Sequence, residues 1–72
     1  MEKLIENIAR SLVDHPEEVS VGRNGDQVEL RVAKADVAMV IGRQGRTARS
    51  LRTILGAAGS KQNRRLSLEI IE

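Results

Sequence analysis

The positions of apolar residues follow two different periods along the chain, and the change between these periods predicts its secondary structure. Residues 2–13 carry apolar side chains at i, i+1, i+4 and i+5, the stripe of an amphipathic helix, and Pro16 follows as a stop signal. Residues 17–23 and 26–33 alternate apolar and polar positions, as β-strands do. Asn24-Gly25 lies between them and predicts a type I′ turn. The chain is therefore expected to open with a helix and a β-hairpin.

The second half of the chain returns to the helical period before a last strand. Asp36 is placed to satisfy the first amides of a short helix, and Gly42 is placed to end it. Residues 46–58 form the longest predicted helix, with Gly59 as its C-cap. Residues 65–71 alternate again and predict a third strand. The order is α-β-β-α-α-β, which favours an α+β fold whose helices cover one face of a three-stranded sheet.

Length and composition limit the class of protein. A chain of 72 residues, 40% of them apolar, is expected to form one domain over residues 1–72, with a small core that self-association would help to stabilise. The absence of cysteine fits a reducing compartment, and there is neither a signal peptide nor a run long enough for a membrane span, so we expect a cytoplasmic protein. The absence of Phe, Tyr and Trp argues against RNA-binding modules that stack bases on aromatic rings.

Charge is distributed unevenly between the two halves of the chain. Residues 1–36 hold five basic and eight acidic side chains, a net charge of −3, whereas residues 37–72 hold seven basic and two acidic ones, a net charge of +5. No carboxylate side chain occurs from Val37 to Leu68. A basic stretch without opposing charge is typical of proteins that bind a polyanion.

The segment between the last two predicted helices carries the candidate binding residues. Glycine at both ends of Gly42-Arg43-Gln44-Gly45 allows tight or left-handed backbone, and amides at the start of a helix favour an anion. Arginines spaced by three along the next helix lie opposite its apolar stripe and add positive charge. Gly42 also has a role as a helix cap, whereas Gly45 has no comparable structural role. We therefore expect contact with backbone phosphates through Gly42, Arg43, Gln44, Gly45, Arg46, Arg49 and Arg52, and the apolar Ile41 directly before the loop is a further candidate site residue.

The run Val40-Ile41-Gly42-x-x-Gly45 resembles the GxxG motif of the KH domain, a module that clamps about four nucleotides of single-stranded nucleic acid. Over essentially its whole length the chain is similar to the type II KH fold, and it most resembles the KhpA family of small bacterial single-KH RNA-binding proteins. The resemblance implies that Gly42–Gly45 clamps single-stranded RNA without a cofactor. It also implies a groove floor, for which the candidates, each also a candidate for the core, are Val37, Ala38, Ala48 and Leu51.

The same resemblance implies a regulatory role and a partner. Such a protein would be an RNA chaperone or post-transcriptional regulator, in a complex linked to cell-wall synthesis and cell shape. Its partner would be a second KH-domain RNA-binding protein, in a heteromer, or a second copy in a homodimer. Because one groove for about four nucleotides binds weakly, linking two grooves would raise the effective concentration at the second.

Three other functions stay open. Two helices joined by a glycine turn in residues 36–58 are also compatible with a DNA-binding helix-turn-helix, although a hairpin and a final strand surround them. An enzyme is disfavoured, because the glycines match neither a P-loop nor a dinucleotide motif. The lone histidine, His15, is expected to be an ordinary loop residue rather than a metal ligand or a base. The third alternative is an assembly subunit with little RNA binding of its own.

Overall fold

The computed structural model describes residues 2–72 and contains its helices and strands in the expected order. Within this range the chain forms α1 (Glu2–Leu12), a 3₁₀ turn at Pro16–Glu18, β1 (Ser20–Asn24), β2 (Gln27–Arg31), a 3₁₀ turn at Lys34–Asp36, α2 (Val37–Ile41), a 3₁₀ turn at Arg43–Gly45, α3 (Arg46–Lys61) and β3 (Ser67–Ile71). The α+β class and the α-β-β-α-α-β order are confirmed.

The β-hairpin forms, but its turn lies one residue later than the sequence predicts. Asn24 pairs with Gln27, so the two-residue loop is Gly25-Asp26. Gly25 has a φ of 62°, whereas neither Asn24 nor Asp26 has a positive φ. A positive φ at the first loop residue alone is the pattern of a type II′ turn, so the predicted type I′ turn is wrong. The glycine occupies the one position where left-handed backbone is needed.

The first strand starts later than predicted because Pro16 begins a 3₁₀ turn instead. Pro16 opens a 3₁₀ turn in which the N–H of Glu18 donates to the carbonyl oxygen of His15 at 3.0 Å. The fixed φ of proline suits the first turn of a helix. Extended pairing then begins only at Ser20, so the predicted strand over residues 17–23 is wrong in its first three positions.

The longest helix continues beyond its predicted end. Gly59 lies inside α3 and is buried, so the prediction that it caps the helix from outside is wrong. A Cβ on Gly59 would lie 2.5 Å from the carbonyl oxygen of Arg64, so glycine is required by the close return of the chain. The carbonyl oxygen of Gly59 accepts from the N–H of Gln62 at 2.9 Å and from that of Arg64 at 2.8 Å. These bonds end the helix and turn the chain toward β3.

The sheet has the order β1-β2-β3, with β2 in the centre. β1 pairs with β2 antiparallel through the hairpin, and β2 pairs with β3 in parallel, with Leu30 opposite Ile70. A parallel pair needs a long crossover connection, and residues 32–66 provide it. The crossover contains α2, the glycine loop and α3, so the candidate loop lies in the connection that covers the sheet.

The core lies between one face of this sheet and the helices. Strand positions that alternate along β2, Val28 and Leu30, are fully buried, whereas Glu29 between them faces away from the core. On that outer face the side-chain amide of Gln27 donates to the carboxylate of Glu69. The buried side chains that form the cluster come from all three helices, the strands and the loops: Ile5, Ala9, Val19, Val28, Leu30, Val32, Val40, Leu51, Leu55, Leu66 and Leu68.

Candidate nucleic-acid interface

Gly42 ends α2 and takes a backbone conformation that other residues do not. Its φ is 79° and its ψ is 168°, a region that is essentially restricted to glycine. Its N–H donates to the carbonyl oxygen of Ala38 at 2.9 Å, which confirms its predicted role as the cap of the short helix. A Cβ on Gly42 would lie 2.4 Å from Oγ1 and 2.9 Å from the backbone nitrogen of Thr47. The first glycine therefore also lets α2 and α3 approach each other.

The second glycine has a structural role that sequence reasoning missed. Gly45 has a φ of 73° and a ψ of 15°, and the preceding Gln44 has a φ of 56° and a ψ of 25°, so both are left-handed. The N–H of Gly45 donates to the carbonyl oxygen of Gly42 at 3.0 Å, and the N–H of Arg46 donates to that of Arg43. The expectation that Gly45 has no structural role is therefore wrong, because left-handed backbone favours glycine.

The turn leaves amide groups available to an anion. Left-handed Gln44 and Gly45 make this segment a tight turn, and successive backbone N–H groups in a turn form an anion-binding concavity called a nest. Because the bonded amides of the turn are those of Gly45 and Arg46, the N–H groups of Arg43 and Gln44 have no partner within the turn. The first turn of α3 follows directly, and its dipole favours negative charge at the same place.

Positive charge surrounds these amides without a matching carboxylate. Arg43 and Arg46 are exposed, and Nη2 of Arg46 lies 3.4 Å from Oε1 of Gln44. Arg49 and Arg52 are exposed on α3, about 4.5 Å and 9 Å further along the helix axis than Arg46. None of the ion pairs in residues 2–72 involves any of these four arginines. The predicted residues therefore form two groups: a compact loop from Gly42 to Arg46, and two arginines that extend its charge along α3.

The apolar residues near the loop divide into core and surface. Ala48 and Leu51 are 3% and 1% exposed, so of their two predicted locations the structure favours the core. Val37 is half-buried and Ala38 is exposed. Ile41, which was predicted as a site residue, is 39% exposed directly before the first glycine. Met39, which is 42% exposed on the same helix, was missed, since the helical pattern did not show on which side it lies.

The opposite end of α3 carries a second basic region. A concave surface there is lined by Ser60, Asn63, Arg64 and Arg65. Nη2 of Arg64 lies 2.7 Å from Oδ1 of Asp26 in the hairpin turn, so the charge of Arg64 is already matched. The neighbouring Arg65 forms no ion pair within residues 2–72.

Asp36 does not cap α2 as predicted. It makes no side-chain hydrogen bond to the helix start, and instead its Oδ2 accepts from the backbone N–H of His15 at 2.9 Å and lies 3.0 Å from the ring Nδ1 of His15. The side-chain hydrogen bond that His15 makes to the carboxylate of Asp36 is the main cause that raises the pKa of His15. His15 therefore belongs to a tertiary contact and is not an ordinary loop residue. The two residues are 21 positions apart, and no local pattern connects them.

Neither a metal site nor a membrane span is found in the part of the chain that the structure describes. No three side chains of His, Asp or Glu in residues 2–72 are grouped to hold a metal ion. No helix formed by these residues is both long and apolar enough to cross a membrane.

Comparison with known proteins agrees with the fold. The family profile described as "KhpA/KhpB, KH domain" matches residues 2–70. A protein of Halalkalibacterium halodurans named RNA-binding protein KhpA is 47% identical, with 100% of both chains covered. Proteins of the same name from Borreliella burgdorferi and Clostridium acetobutylicum are each 49% identical, covering 97% and 99% of this chain and 90% and 100% of their own. No solved structure matches the chain. The matches cover nearly the whole sequence at high identity, and the chain belongs to the KhpA/KhpB family of KH domains.

Proposed function

We propose that this protein binds single-stranded RNA by holding its backbone at the loop from Gly42 to Arg46. The observation that carries the proposal is the loop itself, in which the N–H groups of Arg43 and Gln44 have no partner within the turn and lie beside arginines that form no ion pair within residues 2–72. The relatives carry the name RNA-binding protein, which agrees with this geometry.

The phosphates bind at the turn. The N–H groups of Arg43 and Gln44 donate to phosphate oxygens, and the guanidinium groups of Arg43 and Arg46 supply charge-assisted hydrogen bonds. Arg49 and Arg52 hold neighbouring phosphates as the strand follows α3. Since these contacts reach phosphates, they position the strand and carry no sequence information.

The bases lie against aliphatic side chains. The chain contains no aromatic residue, so stacking on rings does not contribute to binding. The exposed apolar residues of α2 are Ala38, Met39 and Ile41, and Ile41, directly before the loop, provides contact area for the base nearest the turn.

A second KH unit, supplied by a partner, raises the RNA affinity of the complex. One KH unit over residues 1–72 holds about four nucleotides and binds weakly, so a second KH unit, in another copy or in a different protein, raises affinity through effective concentration. The family profile that matches this chain is named for both KhpA and KhpB. Such a complex in the cytoplasm would serve as an RNA chaperone or post-transcriptional regulator, with effects on cell-wall synthesis and cell shape, rather than as an enzyme.

The test measures RNA binding by fluorescence anisotropy with a labelled single strand of about twelve nucleotides. If two or three phosphates are neutralised, affinity is expected to fall about tenfold from 50 to 200 mM salt. In the Arg43→Asp, Gln44→Asp variant, affinity is expected to fall by more than about tenfold through loss of charge-assisted hydrogen bonds. Circular dichroism confirms that each variant is folded.

A matched control separates the loop from general charge. Asn7→Asp with Arg10→Asp introduces the same changes on the exposed surface of α1, away from the loop. This variant is expected to keep most of the affinity. An equal loss in both variants would mean that net charge, and not the loop, governs binding. Undiminished binding in the loop variant would assign the site to Arg49 and Arg52, and tighter binding of a DNA duplex would favour the helix-turn-helix alternative.

A further inference from the structure

The proposed binding loop does not use the one fully buried carboxylate found in residues 2–72. Asp36 is 1% exposed. Its Oδ2 accepts from the backbone N–H and contacts the ring of His15, but its Oδ1 is buried and has no hydrogen-bond partner within the described structure. Half of the accepting capacity of this side chain is therefore unused.

Neither stability nor capping explains an aspartate at this place. A buried carboxylate costs free energy unless it is paired and fully hydrogen-bonded, and a partly satisfied one is worse than a neutral side chain of similar size. Asp36 immediately precedes α2, yet it makes no side-chain bond to the helix start. Its contacts instead join the segment between α1 and β1 to the beginning of α2. We therefore assign to Asp36 the role of joining these two segments.

A constraint at Asp36 acts directly on the binding loop. α2 has five residues, too few for a helix to be stable through its own hydrogen bonds, so its position depends on outside contacts. Val40 anchors it in the core, Asp36 anchors its first turn, and Gly42 packs against Thr47 at its end. The helix is only about 7 Å long, so a shift of its first turn also moves Gly42.

The charge on His15, the other member of the pair, depends on pH. The side chain of His15 is 45% exposed and exchanges protons with solvent. The hydrogen bond to Asp36, and then the attraction of Asp36 and other nearby carboxylates, raise the pKa of His15 above its ordinary value of 6.5. The charged groups on the segments that meet here are Asp14, Glu17 and Glu18 between α1 and β1, and Lys34 and Asp36 before α2.

We propose that the His15–Asp36 pair positions α2 and the glycine loop, and that the charge on His15 sets how tightly the loop holds RNA. The inference rests on the proposed function. With His15 protonated, a charge-assisted hydrogen bond holds the first turn of α2 in place. With His15 neutral, the buried carboxylate has weaker partners and α2 gains freedom. The arginines keep their charge throughout, so RNA affinity falls as the pH rises through the raised pKa of His15.

The first test follows RNA affinity from about pH 5.5 to about pH 8.5, with a labelled oligouridylate as the probe. The wild-type protein is expected to lose about fivefold in affinity across this range. His15→Gln keeps a neutral donor and is expected to give a flat profile, whereas Asp14→Asn, an acidic neighbour without a contact to Asp36, keeps the wild-type profile. A flat wild-type profile, or an equal fall in His15→Gln, would overturn the proposal.

A second measurement needs no RNA. The amide signals of Gly42 and Gly45 are followed by NMR against pH, together with the ring signals of His15. In the wild-type protein the glycine amides are expected to shift with the midpoint of His15, and in His15→Gln and Asp36→Asn this shift is lost. Amide signals of Gly42 and Gly45 that do not shift with the titration of His15 would refute the coupling. Absence of RNA binding at every pH, with the amide shift present, would instead refute the proposed function and leave the positioning role supported.

Discussion

Replacing Gly42 by alanine tests the structural account of the binding loop. The added Cβ would lie 2.4 Å from Oγ1 and 2.9 Å from the backbone nitrogen of Thr47. A hydroxyl group moves by rotation of its side chain, but the backbone nitrogen moves only if α3 shifts away from α2. The backbone angles of Gly42, φ 79° and ψ 168°, are also nearly closed to alanine.

The two effects together give the expected magnitude. Holding a residue other than glycine at these φ and ψ angles costs about 1–3 kcal/mol, and forcing an extra methyl group into a packed site costs a similar amount. We expect Gly42→Ala to lower the free energy of unfolding by about 3 kcal/mol. For a domain of this size that corresponds to a fall in Tm of about 15 °C. This is a large share of the stability of a small domain.

Two other glycine substitutions are matched controls. Gly45 has a φ of 73°, but a Cβ there would meet no atom within 4 Å, so Gly45→Ala is expected to cost only about 1 kcal/mol of left-handed strain. Gly56 is exposed within α3 and also has open space, so Gly56→Ala is expected to stabilise the fold by about 1 kcal/mol. The order of stability is therefore Gly56→Ala, wild type, Gly45→Ala and Gly42→Ala.

Urea denaturation followed by far-UV circular dichroism measures this order. The chain has no aromatic residue, so the signal of its helices is the suitable probe rather than fluorescence. Equal losses for Gly42→Ala and Gly45→Ala would show that backbone strain alone matters and that α2 and α3 do not meet at Thr47. A loss below about 1 kcal/mol for Gly42→Ala would refute the loop geometry itself.

Three further predictions concern Gly59, Gln44 and His15. Gly59→Ala is expected to cost about 2 kcal/mol, because its Cβ would lie 2.5 Å from the carbonyl oxygen of Arg64; an unchanged thermal melt would contradict this packing. Gln44→Gly is expected to change stability by less than about 0.5 kcal/mol, since relief of strain offsets the freedom of the unfolded chain, while RNA affinity falls because the loop is no longer pre-ordered. Equal RNA affinity would argue against pre-ordering. Because the pKa of His15 is raised in the folded state, its contribution to stability is fully present below pH 6.5 and is lost as the pH rises through the raised pKa. Urea titrations at several pH values measure this loss, and its persistence in His15→Gln would assign it to another group.

Most of the fold was predictable because its signals are local. The stripe of α1 and the alternation in β2 depend on residues within a few positions of one another, and so do the glycine that ends α2 and the hairpin signal. The glycine loop at which we propose binding could be located for the same reason, since Gly42 to Arg46 are contiguous and carry both the conformational freedom and the charge. The family resemblance was also visible in these residues, and the matching family profile confirms it.

The predictions that failed concern exact register and the reasons for particular glycines. The hairpin turn lies at Gly25-Asp26 and not at the predicted Asn24-Gly25, because strand pairing, and not the dipeptide alone, decides which residues form the loop. The sequence predicts Gly59 as a helix cap, whereas the structure requires glycine there because the backbone of Arg64 passes close to it. Contacts of this kind join residues that approach each other only after the chain has folded.

The sequence by itself determined the element order, the family and the position of the glycine loop, because periodicity, turn chemistry and a contiguous motif are properties of neighbouring residues. Only the tertiary structure decided that Ala48 and Leu51 belong to the core and that Arg64 is matched by Asp26. The pairing of His15 with buried Asp36 was likewise decided by the fold. Burial and ion pairing depend on which distant segments meet, and that depends on how the helices pack across the sheet.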